Sequence, residues 1–256
     1  MEVKIHRETK TGSLPAGKGS GDYFKTPADR PRSLKPSIEV KNAWYEPIKR
    51  SVEFFAALFL LICFTPIILA AALLVKLTTR GPIFYSQMRV GRNGQLFSIY
   101  KIRSMVHNCE AFSGICWSGP GDKRITRMGK ILRKTHVDEL PQLVNVLLGH
   151  MSLVGPRPER PEFLHVLEQA LEGYRDRVMI RPGITGLAQV QLPPDTDLSS
   201  VRRKLAYDLY YVECLSPWLD LRILVSTLFY ALGVPFAILE KLFGLPGIET
   251  VERARK

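Results

Sequence analysis

The residues of this sequence with the clearest capacity for chemistry are two adjacent carboxylates, Asp138 and Glu139. They stand at the start of a segment, 138–148, that is typical of a helix, with Pro141 in its first turn and Gly149 as its stop. Exposed N–H groups and the positive end of the helix dipole favour an ionised carboxylate at this place. Such a carboxylate can act as a nucleophile or bind a metal ion, although an acidic pair at a helix start is also ordinary capping.

Two arginines near the acidic pair favour chemistry on phosphate. Arg133 precedes Asp138 by five residues, and Arg157 stands between Pro156 and Pro158. Because proline fixes its own φ and restricts the residue before it, Arg157 is expected to have little conformational freedom. A guanidinium group held in one place binds phosphate oxygens through paired hydrogen bonds. We therefore interpret the segment 132–159 as a site for a phosphorylated substrate.

The elements that position these residues are predicted to be helices with a few short strands. The runs PIFYSQ and QLFSIYKI are β-prone, and the pair Asn93-Gly94 between them is typical of a hairpin turn. A short strand is predicted at the end of the string RPGITGLAQV. Further helices are predicted over 122–134, 159–177 and 201–213. The expected fold class is α/β, mostly helical with short strands, in one catalytic or binding domain.

An apolar segment precedes this domain. Residues 54–75 form an uncharged run of 22 positions, long enough to enter or cross a bilayer. Pro66 at its middle predicts a kink, and the hydroxyl of Thr65 is expected to bond the carbonyl that the proline leaves free. Basic residues flank both ends, so no charge difference sets an orientation. We favour a re-entrant membrane helix, and a spanning helix with a tolerated proline is the alternative.

The charge of the chain restricts the class of its partners. A net charge of +12 predicts acidic partners, and the candidates are membrane lipids, phosphorylated substrates and nucleic acid. Nucleic acid is the weakest candidate, because no helix-turn-helix, zinc-finger or aromatic-basic strand motif is visible. Neither a disulfide framework nor a zinc site is predicted, and a reducing cytosol is expected, because no C-x-x-C spacing occurs among Cys63, Cys109, Cys116 and Cys214.

Composition divides the chain into four predicted regions. The apolar stretch 223–239 contains Gly233 and Pro235, which favours short interfacial helices over a second membrane pass and leaves open an interface of a homo-oligomer. No cleavable signal peptide is expected before the apolar run. The regions are a disordered basic tail (1–47), a re-entrant membrane helix (48–78), a catalytic domain (79–230) and an apolar, interfacial C-terminal tail (231–256).

Several long strings carry a resemblance to a known family. In chain order they are FYSQMRVGRNGQLFSIYKIRSM, ITRMGKILRKTHVDELPQLVNVLLGHMSLVGPRPE, RPGITGLAQV and YDLYYVECLSPWLDLRILVST. Following a proline-broken apolar helix, they resemble the bacterial sugar transferase family, the monotopic polyprenyl-phosphate phosphoglycosyl transferases, in its small form. The similarity covers about residues 48–230. It implies an α/β domain on the cytoplasmic face of the bacterial inner membrane, attached to a proline-kinked re-entrant helix.

The resemblance also implies a reaction and roles for particular residues. The family transfers a phospho-sugar from a UDP-sugar to polyprenyl phosphate with Mg²⁺, which starts the assembly of exopolysaccharide, capsule, O-antigen or glycoprotein glycans. Asp138 is then expected to be the nucleophile that forms a phosphosugar-aspartyl intermediate and releases UMP, with Glu139 as a base. Either carboxylate is a candidate magnesium ligand. The expected phosphate-binding residues are Lys101, Arg133, Arg157 and, as a weaker candidate, Arg181.

Two other functions fit part of the pattern. A membrane-bound hydrolase would use Asp138 and Glu139 as a paired acid and base. Adjacent residues disfavour it, because carboxylates that flank a scissile bond face each other across about 5 Å or more. A basic scaffold that binds anionic lipid at the membrane surface would explain the charge and the helices. It would leave the acidic pair and the Gly-Pro-Arg-Pro segment without a purpose.

Overall fold

The computed structural model describes residues 38–113, 121–195 and 197–253. The described residues belong to one compact unit. Residues 1–37 of the predicted tail (1–47) and Cys116 lie outside the described residues. The helices are α1 (Tyr45–Thr78), α2 (Cys109–Ser113), α3 (Arg127–Lys134), α4 (Gln142–Leu147), α5 (Pro161–Ala170), α6 (Leu198–Glu213), α7 (Pro217–Ala231), α8 (Phe236–Phe243) and α9 (Ile248–Arg253), and the strands are β1 (Phe84–Val90), β2 (Leu96–Ile102), β3 (Ser152–Val154) and β4 (Gly183–Thr185).

Helix α1 contains the whole uncharged run. Within the described part of the chain it is the one helix that is long and apolar enough to cross a membrane, with 34 residues. It continues through Pro66 as a helix. The hydroxyl of Thr65 donates to the carbonyl of Leu61 at 2.6 Å, whereas the carbonyl that lacks a proline donor belongs to Ile62. The predicted bond from Thr65 to the freed carbonyl is therefore wrong by one residue, because a helical threonine hydroxyl reaches the carbonyl four positions back.

Both halves of α1 pack against the domain that follows it. The second half contacts a cluster that includes Ile102 of β2 and Leu132 of α3. Between the two buried groups the helix exposes large apolar side chains, among them Phe59 and Ile62. The buried residues are Tyr45, Lys49, Glu53 and Ala57 in the first half and Ile68, Ala71, Ala72 and Val75 in the second.

Strands β1 and β2 form the predicted hairpin. They pair in antiparallel fashion, with Phe84 opposite Ile102 and Val90 opposite Leu96. The connecting turn places Asn93 and Gly94 at φ values of 55° and 79°. These left-handed conformations are the ones that asparagine and glycine tolerate best. The hairpin prediction is confirmed.

The second sheet has two short parallel strands. Ser152 of β3 pairs with Gly183 of β4, and Val154 pairs with Thr185. A Cβ atom on Gly183 would lie 2.1 Å from the backbone nitrogen of Gly155, so only glycine permits this approach. The strand in the string RPGITGLAQV thus lies near the start of the string. The prediction that it lies at the end of the string is wrong.

Several predicted helices are shorter than expected or divided. The segment 138–148 contains a 3₁₀ turn, Val137–Glu139, and then α4. The segment 159–177 is divided between α5 and a further 3₁₀ turn, Tyr174–Val178, with a left-handed Gly173 between them. The apolar stretch 223–239 is divided between α7 and α8, as its glycine and proline predicted. The main core lies where α1, α4, β3, α6 and α7 meet.

Candidate active site

Glu139 lies at the centre of a cluster of charged side chains. Lys101 of β2 places its Nζ atom 2.7 Å from Glu139 Oε1. Arg157, in the loop after β3, donates from Nη2 to Oε1 at 2.5 Å and from Nη1 to Oε2 at 3.3 Å. Although burial opposes ionisation, Arg157 and Lys101 together hold the pKa of Glu139 well below its ordinary range. Glu139 is therefore an ionised carboxylate with both oxygens bound by cations.

Asp138 has a different environment from its neighbour. It is buried, with 5% of its surface exposed. Burial, and then the charge of Glu139, raise the pKa of Asp138, while Lys101, Arg133 and Arg157 act in the opposite direction. A helix start was expected to favour the ionised form of Asp138. In the structure the turn is a single 3₁₀ turn, and the loss of hydration on burial is the largest influence on the pKa of Asp138.

The acidic turn begins with a left-handed residue, His136, at φ 56° and ψ 14°. This conformation costs a non-glycine residue on the order of 1–2 kcal/mol, so the surrounding structure must hold it. The ring of His136 contacts Tyr230 of α7, with 5.6 Å between the ring centroids. Tyr230 stacks in turn on Phe236 of α8. Helices α7 and α8 therefore support the outer side of the turn that carries the acidic pair.

Arg133 reaches the site from α3. Its Nε atom donates to the hydroxyl of Ser104 at 2.9 Å. Helix α3 packs tightly on this segment, since a Cβ atom on Gly129 would lie 1.8 Å from the carbonyl oxygen of Ser104. Thr126 caps the helix by accepting from the Gly129 N–H at 2.9 Å. The positive charge of Arg133 partly offsets the rise in the pKa of Asp138.

Arg181 lies apart from the acidic pair. Its Nε donates to the carbonyl of Gly149 at 3.1 Å, and its Nη1 pairs with Glu46 of α1 at 2.9 Å. Glu46 also pairs with Arg92 of the hairpin turn at 2.7 Å. The structure thus brings Lys101 and Arg157 onto the acidic pair and places Arg181 at the base of α1.

A buried charge cluster joins the base of α1 to the domain. Lys49 lies 2.6 Å from Asp220 of α7 and 3.3 Å from Glu53. The carboxylate oxygens of Glu53 lie 2.6 and 2.7 Å from the hydroxyl of Ser152, and one accepts from the N–H of Leu153 at 3.0 Å. These bonds connect α1 directly to β3, the strand that leads to Arg157.

Two arginines that the sequence interpretation missed, Arg89 and Arg177, hold the loop of Arg157. Arg177 donates to the carbonyl of Arg157 at 2.8 Å, and Arg89 donates to that of Pro158 at 3.2 Å. Arg89 lies in a strand and Arg177 in a polar segment where charged residues are common. No local pattern in the sequence separates them from solvent-exposed arginines.

The acidic pair can contribute to a magnesium site only together with other ligands. Among residues 38–113, 121–195 and 197–253, no group of three or more His, Cys, Asp or Glu side chains is placed to hold a metal ion. Carboxylate oxygens are the ligands that Mg²⁺ prefers, usually with phosphate oxygens and water. Since the oxygens of Glu139 are bound by Lys101 and Arg157, Asp138 is the freer ligand of the two. The donor set therefore fits an ion that arrives with a diphosphate.

A family model and several known proteins are similar to this chain. The family model described as bacterial sugar transferase matches residues 44–233. A UDP-N-acetylgalactosamine-undecaprenyl-phosphate N-acetylgalactosaminephosphotransferase of Aeromonas hydrophila is 43% identical over 184 residues, which are 72% of this chain and 43% of that protein. The exopolysaccharide production protein PSS of Rhizobium leguminosarum bv. phaseoli is 43% identical over 185 residues, 70% of this chain and 92% of that protein.

A third relative has intermediate length. A UDP-glucose:undecaprenyl-phosphate glucose-1-phosphate transferase of Caulobacter vibrioides is 39% identical over 203 residues, 78% of this chain and 76% of that protein. The chain thus spans less than half of the Aeromonas relative and most of the other two.

Proposed function

This chain belongs to the bacterial sugar transferase family, and we propose that it transfers a sugar 1-phosphate from a UDP-sugar to undecaprenyl phosphate. The observation that carries the proposal is the buried Asp138 beside Glu139, with Lys101 and Arg157 bound to the latter. The names of the Aeromonas and Caulobacter relatives support both the donor and the acceptor class. The name of the Rhizobium relative supports exopolysaccharide synthesis as the pathway that this reaction starts.

The reaction proceeds in two displacements at one phosphorus atom. A carboxylate oxygen of Asp138 attacks the β-phosphorus of the UDP-sugar, and the bond to the bridging oxygen breaks, so UMP leaves with the electron pair. A phosphate oxygen of undecaprenyl phosphate then attacks the phosphosugar-aspartyl intermediate and frees the carboxylate of Asp138. The soluble donor and the lipid acceptor can thus use one small site in turn. A poorly solvated carboxylate, once ionised, suits the first attack.

The cations of the site neutralise charge on the transferring phosphate. Phosphoryl transfer depends chiefly on positioning and on stabilising the nonbridging oxygens. Glu139 holds Lys101 and Arg157 in place before substrate binds, and 37% of the Arg157 side chain is exposed and available to a ligand. Mg²⁺ would supply further neutralisation of the diphosphate, with Asp138 as its freer ligand and Glu139 able to bind it only through an oxygen that Lys101 or Arg157 gives up.

The same compact unit carries the apolar helix α1 and the acidic site, so an α1 embedded in the membrane would keep the site near the bilayer surface, where the acceptor phosphate lies. We assign the protein to the bacterial inner membrane, with the catalytic domain on the cytoplasmic face. A scaffold that only binds anionic lipid remains the competing function.

The test separates the two half-reactions. Protein in lipid nanodiscs is mixed with Mg²⁺ and either UDP-glucose or UDP-N-acetylgalactosamine, without acceptor. We expect release of UMP and an intact-protein mass increase of one phosphosugar. Added undecaprenyl phosphate should then remove the mass increase and restore turnover.

Asp138→Asn should show neither UMP release nor the mass increase, because an amide cannot replace the carboxylate as nucleophile. Glu172→Gln, an exposed change of equal charge, serves as the control. Release of UMP by Asp138→Asn at the wild-type rate would overturn the assignment of the nucleophile. Binding to anionic vesicles without any UMP release by the wild type would favour the scaffold.

A further inference from the structure

The loop of Arg157, residues 155–159, is fixed in an unusual way. Pro156 and Pro158 have no N–H group, so two of the five backbone donors in this segment are absent. The N–H of Gly155 donates to the carbonyl of Thr185 at 2.9 Å, and the rest of the loop is held mainly through its carbonyl groups. The N–H of Gly183 in β4 donates to the carbonyl of Pro156 at 2.9 Å, and the N–H of Val90 in β1 donates to that of Glu159 at 2.9 Å.

The two carbonyl groups between these positions are bound by side chains. Arg177 donates from Nη2 to the carbonyl of Arg157 at 2.8 Å. Arg89 donates from Nη1 to the carbonyl of Pro158 at 3.2 Å. Four consecutive carbonyl groups, of residues 156–159, thus accept hydrogen bonds from four donors outside the loop.

Arg177 is the more deeply buried of the two arginines, with 3% of its surface exposed. The same Nη2 atom that binds the Arg157 carbonyl lies 2.6 Å from Oδ2 of Asp208 in α6. Its Nη1 donates to the hydroxyl of Tyr174 at 2.9 Å. A buried ion pair is weak evidence of stabilisation, because desolvation offsets much of the attraction. We therefore considered a role for the Arg177–Asp208 pair other than stabilising the fold.

We propose that Arg177 and Asp208 form a positioning pair, which fixes the carbonyl of Arg157 and so the place of its guanidinium group. This inference rests on the proposed function, in which that group binds the donor phosphate. Neither residue bonds to Asp138 or Glu139; both act through Arg157. The planar guanidinium of Arg177 donates to Asp208, to Tyr174 and to the carbonyl of Arg157 at the same time. A lysine ammonium is a compact charge without this fixed fork of donors.

The functional test is a double-mutant cycle in the UMP-release assay. Arg177→Lys keeps the charge opposite Asp208 but loses the fork, and we expect kcat/KM for the UDP-sugar to fall about tenfold. In an Arg157→Lys background, which has no guanidinium to position, the further loss should stay below about twofold. Equal losses in both backgrounds would show that Arg177 acts independently of Arg157 and would overturn the proposal.

The matched control is Arg175→Lys. Arg175 lies in the same 3₁₀ turn, with half of its side chain exposed and its partner Glu168 at 3.6 Å. We expect this variant to keep the wild-type kcat/KM. A loss equal to that of Arg177→Lys would point to the turn as a whole and would count against the proposal.

A second measurement does not depend on activity. Hydrogen exchange of the peptide that contains Gly155 and Glu159 should become faster in Arg177→Lys, with α7 unchanged and with no effect in Arg175→Lys. Unchanged exchange in this peptide, or equally faster exchange throughout α7, would overturn local positioning. Faster exchange in the loop with no UMP release by the wild type would instead refute the proposed function.

Discussion

At the scale of single residues, the adjacent carboxylates Asp138 and Glu139 have different environments, which shift their pKa values in opposite directions. Burial and the charge of Glu139 raise the pKa of Asp138, whereas Arg157 and Lys101 lower that of Glu139 despite its burial. Titratable neighbours whose environments separate their pKa values are typical of paired catalytic roles. Here Glu139 is an anion bound by two cations, and in the proposed mechanism Asp138 is the group whose ionisation controls the first step.

The first prediction concerns the pH dependence of UMP release. In the proposed mechanism only ionised Asp138 attacks phosphorus, so the rate should fall as the pH decreases through its raised pKa, at a higher pH than for an ordinary aspartate. Glu139→Gln removes the charge that raises this pKa and releases Lys101 and Arg157 to stabilise the Asp138 carboxylate. The acid limb should therefore move to lower pH in single-turnover pH profiles, even if the maximum rate falls.

The control for this prediction is Glu162→Gln, because Glu162 is exposed and pairs only with Arg160 in the bonds described, at 3.4 Å. Its acid limb should coincide with that of the wild type. A limb that stays in place in Glu139→Gln, or moves to higher pH, would show that Asp138 is not the titrating group.

The sequence could predict the part of the site that lies in one continuous stretch. Asp138, Arg133 and Arg157 stand out because acidic residues, basic residues and prolines follow one another within 132–159. The role of Arg177 depends on the crossover connection between the parallel strands β3 and β4, which no local pattern encodes. For the same reason the sequence could not place Arg181 on Glu46, a residue 135 positions away.

At the scale of elements, Lys49 near the start of α1 shows that a basic residue beside an apolar run does not always face the lipid headgroups. Sequence placed Lys49 with the basic residues beside an apolar run. In the structure it is buried between Asp220 and Glu53, and its ammonium group also donates to the hydroxyl of Tyr211 at 2.9 Å. The local pattern predicted the helix, but only the tertiary contacts show which of its charged residues face the domain.

The second prediction follows from this burial. Lys49→Met leaves the carboxylates of Glu53 and Asp220 buried without their cation, so the domain should lose about 3–5 kcal/mol of stability. Lys41→Met is the control, since Lys41 is exposed and lies 4.0 Å from Glu213, where a loss below about 1 kcal/mol is expected. The measurement is the free energy of unfolding in urea, in a mild detergent. Equal losses in both variants would contradict a structural role for Lys49.

Helix boundaries were less predictable than helices. The segment 138–148 has the composition of one helix, yet a left-handed His136 precedes the acidic turn and a separate helix, α4, begins after Pro141. The contact of His136 with Tyr230 supports this conformation from α7, which is remote in sequence. Tertiary packing thus sets the geometry of the acidic pair, because the local sequence does not determine where the helix begins.

At the scale of the whole molecule, both ends of α1 contact the same compact unit. Glu53 near the start bonds to Ser152 of β3. After the end of the helix, Arg103 donates to the carbonyl of Arg80 and to the hydroxyl of Thr79. A straight helix of 34 residues is about 50 Å long, more than the hydrocarbon core, so a spanning α1 would place one of these contacts across the bilayer from the other. These contacts favour the re-entrant helix over the spanning alternative, and the re-entrant arrangement stays a proposal.

The third prediction is that residues before and after α1 are accessible from the same side of the membrane. In a variant with every cysteine replaced by serine, Lys41→Cys precedes α1 and Glu172→Cys lies on the exposed surface of the domain. Both should resist a membrane-impermeant maleimide in intact cells and react after permeabilisation, because the proposed re-entrant helix has both of its ends, and the domain, in the cytoplasm. Labelling of Lys41→Cys alone in intact cells would establish a spanning helix, and would require the bonds at one end of α1 to be broken in the membrane.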